Sequence, residues 1–257
     1  MQSLQSYLSS QHILEGFVIK DNIIYFEPSE KGFINTKFGK FASMTPYRGK
    51  LRFGTYYAAY QKEKDVDQHE YTQVLKAIKL QKSEFEIDHE SRQKFLNRTA
   101  AYLQKMILDC KADTILLMDS SSTLVHELVH EINRRLPKYY NIRSFSKAIF
   151  KNPDISQIYI DTAGIELKAE QMKVIQKALD KSKADGYFSI KNVQLPQQRK
   201  FFKDWLKIND NFLQHIVDKN LVIIDDFVTS GETLNSASEL LQNAGAKSVT
   251  GLAVMKA

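Results

Sequence analysis

The chain has 257 residues, of which 43% are hydrophobic and 26% charged, and these globular proportions exclude an intrinsically disordered protein. Its single cysteine, Cys110, excludes an internal disulfide or a multi-cysteine zinc site, and no apolar run of about 18 residues could span a membrane. The 36 Lys and Arg residues exceed the 30 Asp and Glu residues by six, which suggests an anionic partner, either a phosphorylated metabolite or nucleic acid. Because residues 1–7 lack the pattern of a secretion signal, we expect a cytoplasmic protein with no membrane partner.

The chain is predicted to begin with strands and to continue with two helices. Residues up to about 70 are rich in strand formers and turn residues, and 16–20 and 22–26 flank Asp21 in the manner of a hairpin. Apolar residues at helical spacing then predict one helix over 70–80 and a second that starts at Ser91 as its N-cap. We interpret residues 1–90 as an accessory region.

From residue 114 the pattern changes to an alternation of strands and helices. Residues 114–118 and 221–224 are short, continuous apolar runs of the kind that form buried parallel strands. Each run is followed by a polar loop and an amphipathic helix. The remaining predicted elements are helices over 124–136, 167–183 and 233–242 and a strand over 248–255. The alternation predicts an α/β core over 91–257, with a mostly parallel sheet flanked by helices.

The second of these strands leads into the most informative segment of the sequence. It ends in two adjacent carboxylates, Asp225 and Asp226, and a turn with hydroxyl groups and Gly231 then enters a helix. In an open α/β sheet, ligands bind beyond the carboxyl ends of the strands, and a turn that enters a helix there directs N–H groups at a bound anion. The carboxylates would repel that anion unless they hold sugar hydroxyls or a metal. The alternative is an ordinary strand–turn–helix with a polar turn.

This segment resembles the motif by which type I phosphoribosyltransferases bind phosphoribosyl pyrophosphate (PRPP), over about thirteen contiguous positions. The resemblance implies that Asp225 and Asp226 hold the ribose hydroxyls and act as the catalytic pair. It also implies a loop around the 5′-phosphate, formed by Thr229, Ser230, Gly231, Glu232 and Thr233.

An earlier strand–loop–helix stands where members of this family have a pyrophosphate-binding loop. Its loop residues are Asp119, Ser120, Ser121, Ser122 and Thr123. Serine hydroxyls and N–H groups at a helix start suit an oxyanion, although a serine-rich helix cap is an equally good interpretation. The segment 134–151 then carries six basic residues and no acidic one, which matches the whole net excess. We expect Lys147 and Lys151 to reach the pyrophosphate, unless the segment is a solvated helix end and loop.

The resemblance implies a phosphoribosyltransferase-like, Rossmann-like fold and an enzyme of nucleotide metabolism. Such a transferase would move 5-phosphoribosyl from PRPP to a nitrogenous, nucleobase-like acceptor and release pyrophosphate. It would require Mg²⁺, held mainly by PRPP and also by Asp225 and Asp226, and a homodimer is compatible with it. The late position of the motif looks like the competence-type, ComF-like branch, but the zinc region of that branch is missing and 152–220 is longer than expected. The acceptor is therefore unassigned.

Two other functions compete with this one. A protein with the same core could bind PRPP as a signal and regulate nucleic acid, but nucleic acid is not favoured as a partner because no known binding module accompanies the basic segment. The pentapeptide that starts at His126 also fits H-E-x-x-H, so His126 and His130 could bind zinc, with Glu127 as general base. That hydrolase would need a third ligand, such as Glu166 or Glu170.

Overall fold

A computed structural model describes most of the chain. The described residues are 11–14, 17–26, 47–51, 53–61, 68–118, 122–137, 140, 142–162, 164–194 and 196–256. Within them, no helix combines the length and the apolar character needed to cross a membrane.

The central feature is a six-stranded sheet flanked by helices. Its strand order is β4–β5–β14–β13–β7–β8; the last five strands run parallel to one another, and β4 pairs antiparallel with β5 at the edge. The strands are β4 (Tyr47–Leu51), β5 (Gly54–Gln61), β7 (Thr114–Leu117), β8 (Arg143–Phe145), β13 (Asn220–Val228) and β14 (Ser248–Lys256). The helices are α1 (Gln68–Ile78), α2 (His89–Asp109), α3 (Leu124–Arg135), α4 (Ala169–Asp185) and α5 (Glu232–Asn243). The predicted α/β fold with a largely parallel sheet is therefore confirmed.

The smaller strands form three further sheets. A four-stranded sheet has the order β1–β2–β3–β6, and two two-stranded sheets pair β9 with β12 and β10 with β11. The strands are β1 (Gln11–Leu14), β2 (Phe17–Lys20), β3 (Ile23–Phe26), β6 (Glu86–Ile87), β9 (Ile149–Lys151), β10 (Tyr159–Ile160), β11 (Phe202–Lys203) and β12 (Leu206–Ile208). In the turn between β2 and β3, Asp21 and Asn22 have φ values of 52° and 62°. Two successive positive φ values are typical of the tight turn that matches strand twist, so the predicted hairpin is present.

The central sheet takes strands from both sides of residue 90. β5 pairs in parallel with β14 from Thr55 opposite Thr250 to Gln61 opposite Lys256. The division into an accessory region and a core at that residue stays a prediction. Whatever the domain boundary, β4 and β5 complete that edge of the sheet.

The start of α2 differs from the sequence prediction. Asp88, not Ser91, caps the helix: its carboxylate accepts a hydrogen bond from the Ser91 N–H at 2.7 Å, and α2 begins at His89. This backbone hydrogen bond holds the pKa of Asp88 below its ordinary value. Ser91 is instead buried in the first turn. Aspartate and serine are both good N-cap residues.

The two faces of the central sheet contact different cores. Val222 and Ile224 of β13 pack with α1, α2 and α3, whereas Leu221 and Ile223 pack with α4 and α5. Successive side chains of a strand point to opposite faces, so the same alternation continues into the residues that follow Ile224. This places adjacent polar residues at the end of β13 in different surroundings.

Gly54 provides a test of the close contact between β5 and β14. A Cβ atom at this position would lie 2.5 Å from the carbonyl oxygen of Val249, so the strands would have to move apart. We expect Gly54→Ala to lower the free energy of unfolding by about 1–3 kcal/mol, as overpacking does elsewhere. Urea denaturation measures the change, and an unaltered midpoint would show that this contact is not tight in solution.

Candidate active site

The strand that carries the paired acids is longer than the sequence predicts. β13 continues beyond Ile224 through both acids to Val228, which pairs with Lys256 of β14. On its other side, the pairing with β7 stops earlier, where the Met118 N–H donates to the Ile224 carbonyl at 3.0 Å. Among the described residues, the end of β13 is therefore paired on one edge, and Met118, the residue after β7, is bonded to the residue just before the acids.

Asp225 and Asp226 have different surroundings, as the strand alternation requires. Asp226 is on the face of Val222 and Ile224, where its Oδ2 lies 2.7 Å from Lys79 Nζ. Both side chains are largely buried, with exposed fractions of 14% for Lys79 and 11% for Asp226. Asp225 is half-buried, and its Oδ1 accepts the N–H of Asp226 at 2.9 Å. Asp225 is the more accessible acid, while Asp226 is held by a cation.

The turn after β13 has the geometry of an anion-binding helix start. Thr229 and Ser230 are exposed, and Gly231 has a φ of 78°, a left-handed conformation that glycine adopts without strain. α5 begins at Glu232, and no side chain caps the Gly231 position. The N–H groups of the first helical turn therefore remain able to donate to a ligand. Thr233, in that turn, is half-buried.

Arg199 lies next to this turn, and sequence analysis did not identify it. It belongs to a short 3₁₀ helix, Pro196–Phe201, and its Nη1 donates to the Thr229 hydroxyl at 3.2 Å. Its Nε donates to the Val193 carbonyl at 3.2 Å. Partial burial lowers the pKa of Arg199. No periodicity or motif marks this segment, and only the folded structure brings it to the turn.

The pyrophosphate loop falls partly outside the described residues, because Asp119, Ser120 and Ser121 are not among them. The two that are described act locally. The buried Ser122 accepts the Leu124 N–H at 3.1 Å, and the Thr123 hydroxyl donates to Glu127 at 2.6 Å. Thr123 is the N-cap residue of α3, but no side-chain hydrogen bond caps the helix there. A pyrophosphate-binding role for the loop stays a prediction.

The structure separates the basic residues of 134–151. Arg134 and Arg135 end α3 and lie near Glu131, and Arg143 pairs with the first residue of β7, at the edge of the sheet opposite the acids. Lys147 follows the carboxyl end of β8, on the same edge as the carboxyl ends of β7 and β13, and Lys138 lies outside the described residues. The described basic residues therefore do not form a single cluster.

Lys151 has a local partner away from the central sheet. It ends β9, which pairs with β12, and its Nζ lies 5.9 Å from the centre of the Tyr187 ring. Lys147 fits the predicted pyrophosphate site better, because it follows a strand of the central sheet.

The H-E-x-x-H residues lie on α3, but the glutamate is already engaged. Glu127 accepts two hydrogen bonds from Arg92, at 2.8 and 3.0 Å, and these bonds hold its pKa below the ordinary value. His126 and His130 are exposed. Among the residues that the structure describes, no group of three or more His, Cys, Asp or Glu side chains could hold a metal ion. A carboxylate paired with arginine is a poor general base, which disfavours the zinc hydrolase.

Comparison with known proteins agrees with the geometry. Residues 169–256, from the start of α4 to the end of β14, match the family model described as a phosphoribosyl transferase domain. The match includes Arg199, the paired acids and the turn after them. The predicted resemblance to phosphoribosyltransferases is therefore confirmed over these residues. The branch of the family stays a prediction.

Two solved structures are similar to the chain. One is a glutamine PRPP amidotransferase from B. subtilis complexed with ADP and GMP, at 14% identity and a TM-score of 0.37; the alignment covers 69% of this chain and only 30% of that one. The other is a purine phosphoribosyltransferase from Pyrococcus horikoshii, at 15% identity and a TM-score of 0.32, with 64% and 85% covered. No curated protein matches the sequence.

The Arg92–Glu127 pair predicts a pH dependence of stability. A carboxylate whose pKa is lowered by folding stabilises the protein above its unfolded pKa of about 4.3, and this contribution is lost as the pH falls through the folded pKa. We expect Arg92→Met to destabilise the protein at pH 7, with the difference from wild type narrowing between about pH 5 and pH 3. Urea denaturation of both proteins across this pH range measures the difference in their free energies of unfolding. A difference that does not change with pH would contradict the prediction.

The Lys79–Asp226 pair predicts a large cost when one partner is removed. We expect Lys79→Met to lower the free energy of unfolding by about 3 kcal/mol, because a largely buried carboxylate then lacks its cation. Adding Asp226→Leu to this variant should recover part of the loss, since a buried ion pair can be replaced by apolar residues. Lys82→Met, at an exposed lysine, is the matched control. Equal stability of the two lysine variants would contradict the role of the pair.

Proposed function

We propose that the protein transfers the 5-phosphoribosyl group of PRPP to a nitrogen nucleophile of a nucleobase-like acceptor, with release of pyrophosphate. The observation that carries this proposal is the arrangement at the end of β13, within the matched domain. The half-buried Asp225 lies near the end of β13, and the Gly231 turn and a helix start with no side-chain cap follow that strand. A site for a sugar phosphate needs an acceptor for the sugar hydroxyls close to donors for the phosphate.

The two kinds of group divide the sugar phosphate between them. The N–H groups at the start of α5 and the hydroxyls of Thr229 and Ser230 would bind the 5′-phosphate, favoured by the positive end of the helix dipole. Asp225, five residues before Ser230, would accept hydrogen bonds from the ribose hydroxyls. Each charged group then has its own partner, so the carboxylate and phosphate do not have to approach each other.

Lys79 reduces the negative charge of the site. Asp226 is held by Lys79 at 2.7 Å, so this cation offsets the charge of one of the two carboxylates that a highly anionic ligand would meet at the end of β13. Without Lys79, repulsion between the Asp226 carboxylate and the anionic ligand would oppose binding. In this proposal Asp226 fixes the end of the strand, and Asp225 makes the closer contact with the ribose. That division refines the sequence expectation, in which both acids held the ribose.

The pyrophosphate would lie between the loop after β7 and Lys147. The Met118–Ile224 hydrogen bond brings the start of that loop beside the acids, and Lys147 follows the adjacent strand β8 on the same edge. During transfer, positive charge develops on the ribose ring and negative charge on the leaving pyrophosphate. Asp225 favours the first, and the loop N–H groups with Lys147 favour the second.

The donor set suits a magnesium ion that arrives with its ligand. Mg²⁺ is commonly bound by one or two carboxylates together with substrate phosphates, and the described residues offer carboxylates at the end of β13 but no group of three potential ligands. When bound, Mg²⁺ would neutralise charge on the pyrophosphate. Asp225 is the protein ligand most accessible to it, since Asp226 is paired with Lys79.

Binding of PRPP tests the proposal. We expect calorimetric titration with PRPP and Mg²⁺ to show binding by the wild type. The affinity of Asp225→Asn should be weaker by about tenfold or more, because hydrogen bonds to a charged acceptor are lost. Asp185→Asn removes an exposed carboxylate at the end of α4 and is the matched control. No binding by the wild type, or equal affinities for both variants, would overturn the proposal.

Pyrophosphate release separates the enzyme from a PRPP-binding regulator. We expect wild type to release pyrophosphate when PRPP, Mg²⁺ and a suitable nucleobase are supplied together, and a panel of purine and pyrimidine bases identifies the acceptor. Binding of PRPP without release for any acceptor, combined with PRPP-dependent binding of nucleic acid, would favour the regulator instead.

A further inference from the structure

We propose that Arg199 is a ligand of the 5′-phosphate. The chain would then bind the phosphate with a positively charged side chain as well as with the turn after β13. The inference rests on the proposed function and adds to it a residue outside the motif. It starts from one contact, the 3.2 Å hydrogen bond from Arg199 Nη1 to the Thr229 hydroxyl.

The guanidinium group of Arg199 is only partly satisfied within the protein. Of its five N–H donors, one bonds to the Val193 carbonyl and one to Thr229. Within the described part of the chain, no carboxylate forms an ion pair with it, although burial removes part of its hydration. A partly desolvated cation without a counter-ion is costly, and an anion at this position would remove that cost.

The segment around Arg199 is anchored rather than free to swing. Phe201 and Phe202 follow it into the core beside α5, and Gln198 before it is fully buried. These buried neighbours hold Arg199 in place beside Thr229.

Thr229 links the arginine to the predicted phosphate position. Its hydroxyl accepts from Arg199, so its own hydrogen remains able to donate to a ligand. Thr229 is also the first residue after β13, two positions before Gly231, where the turn enters α5. Arg199 therefore orients one phosphate donor and presents its remaining N–H groups beside it. A planar guanidinium can bind two oxygens of one phosphate, which suits a terminal phosphate better than a single amine would.

The consequence is selectivity for the 5-phosphate end of the ligand. Arg199 should matter for PRPP and for ribose 5-phosphate, which carry that group. It should not matter for pyrophosphate alone, whose site involves the loop after β7 and Lys147. The two ends of PRPP can thus be tested separately with these two smaller ligands.

Calorimetric titration of Arg199→Gln with the three ligands tests the inference. We expect affinity for PRPP with Mg²⁺ and for ribose 5-phosphate to fall by about 10- to 100-fold, the range typical of lost charge-assisted hydrogen bonds, and affinity for pyrophosphate to change less than about twofold. Arg199→Lys should lie between Arg199→Gln and wild type, because it keeps the charge but not the planar donor pair. Lys200→Gln removes the adjacent, exposed cation and should bind all three ligands like wild type.

The outcomes distinguish the inference from the proposed function. If wild type binds PRPP but Arg199→Gln binds ribose 5-phosphate equally well, the inference is overturned and the proposed function stands. An equal loss of ribose 5-phosphate and pyrophosphate binding would also overturn it, because it would indicate a general disturbance of the site. If Arg199→Gln does not fold, Arg199→Lys replaces it in the test, and an affinity of Arg199→Lys for ribose 5-phosphate equal to that of wild type would overturn the inference. If wild type binds no PRPP, the proposed function itself fails.

Discussion

The unequal pairing of β13 with its two neighbours is the constraint on which the site depends. β14 pairs with β13 as far as Val228, whereas β7 stops at the hydrogen bond between Met118 and Ile224. The pairing with β14 holds the end of β13 in an extended conformation, while among the described residues its other edge has no partner strand beyond Ile224. Because parallel strands place their carboxyl ends at one edge, the carboxyl ends of β7, β8 and β13 lie together there. The proposed ligand would bind where backbone pairing ends.

Two ion pairs connect residues in or next to the helices with other elements of the fold. Lys79, just after α1, binds Asp226 of β13, and Arg92 of α2 binds Glu127 of α3. Each pair joins segments that are far apart in the chain, and each involves an acid that sequence patterns had marked as functional. Removing one member leaves a partly buried charge without its partner, so these pairs restrict how the helices can pack. Lys79 and Arg92 thus decide which of the marked acids remain accessible.

The sequence predicted the elements with a strong pattern and missed those without one. The continuous apolar run at 221–224 and the hydroxyl-rich turn after it identified the strand, the acids and the helix start. The extension of β13 to Val228 was not predictable, because its stability comes from pairing with β14. Residues 152–220 fold into α4 with short strands and 3₁₀ helices, which have too few residues to show a period. Arg199 lies in this region and was missed for that reason.

The sequence by itself determined the local chemistry: two adjacent acids at a strand end, a glycine turn and a helix start, within about ten consecutive residues. Only the tertiary structure decided how this chemistry is used. Alternation along β13 sends Asp225 and Asp226 to opposite faces, where one meets Lys79 and the other stays accessible. The folding of a patternless segment brings Arg199 to Thr229, thirty positions along the chain. Contacts between residues far apart in the chain depend on packing, and no local pattern encodes them.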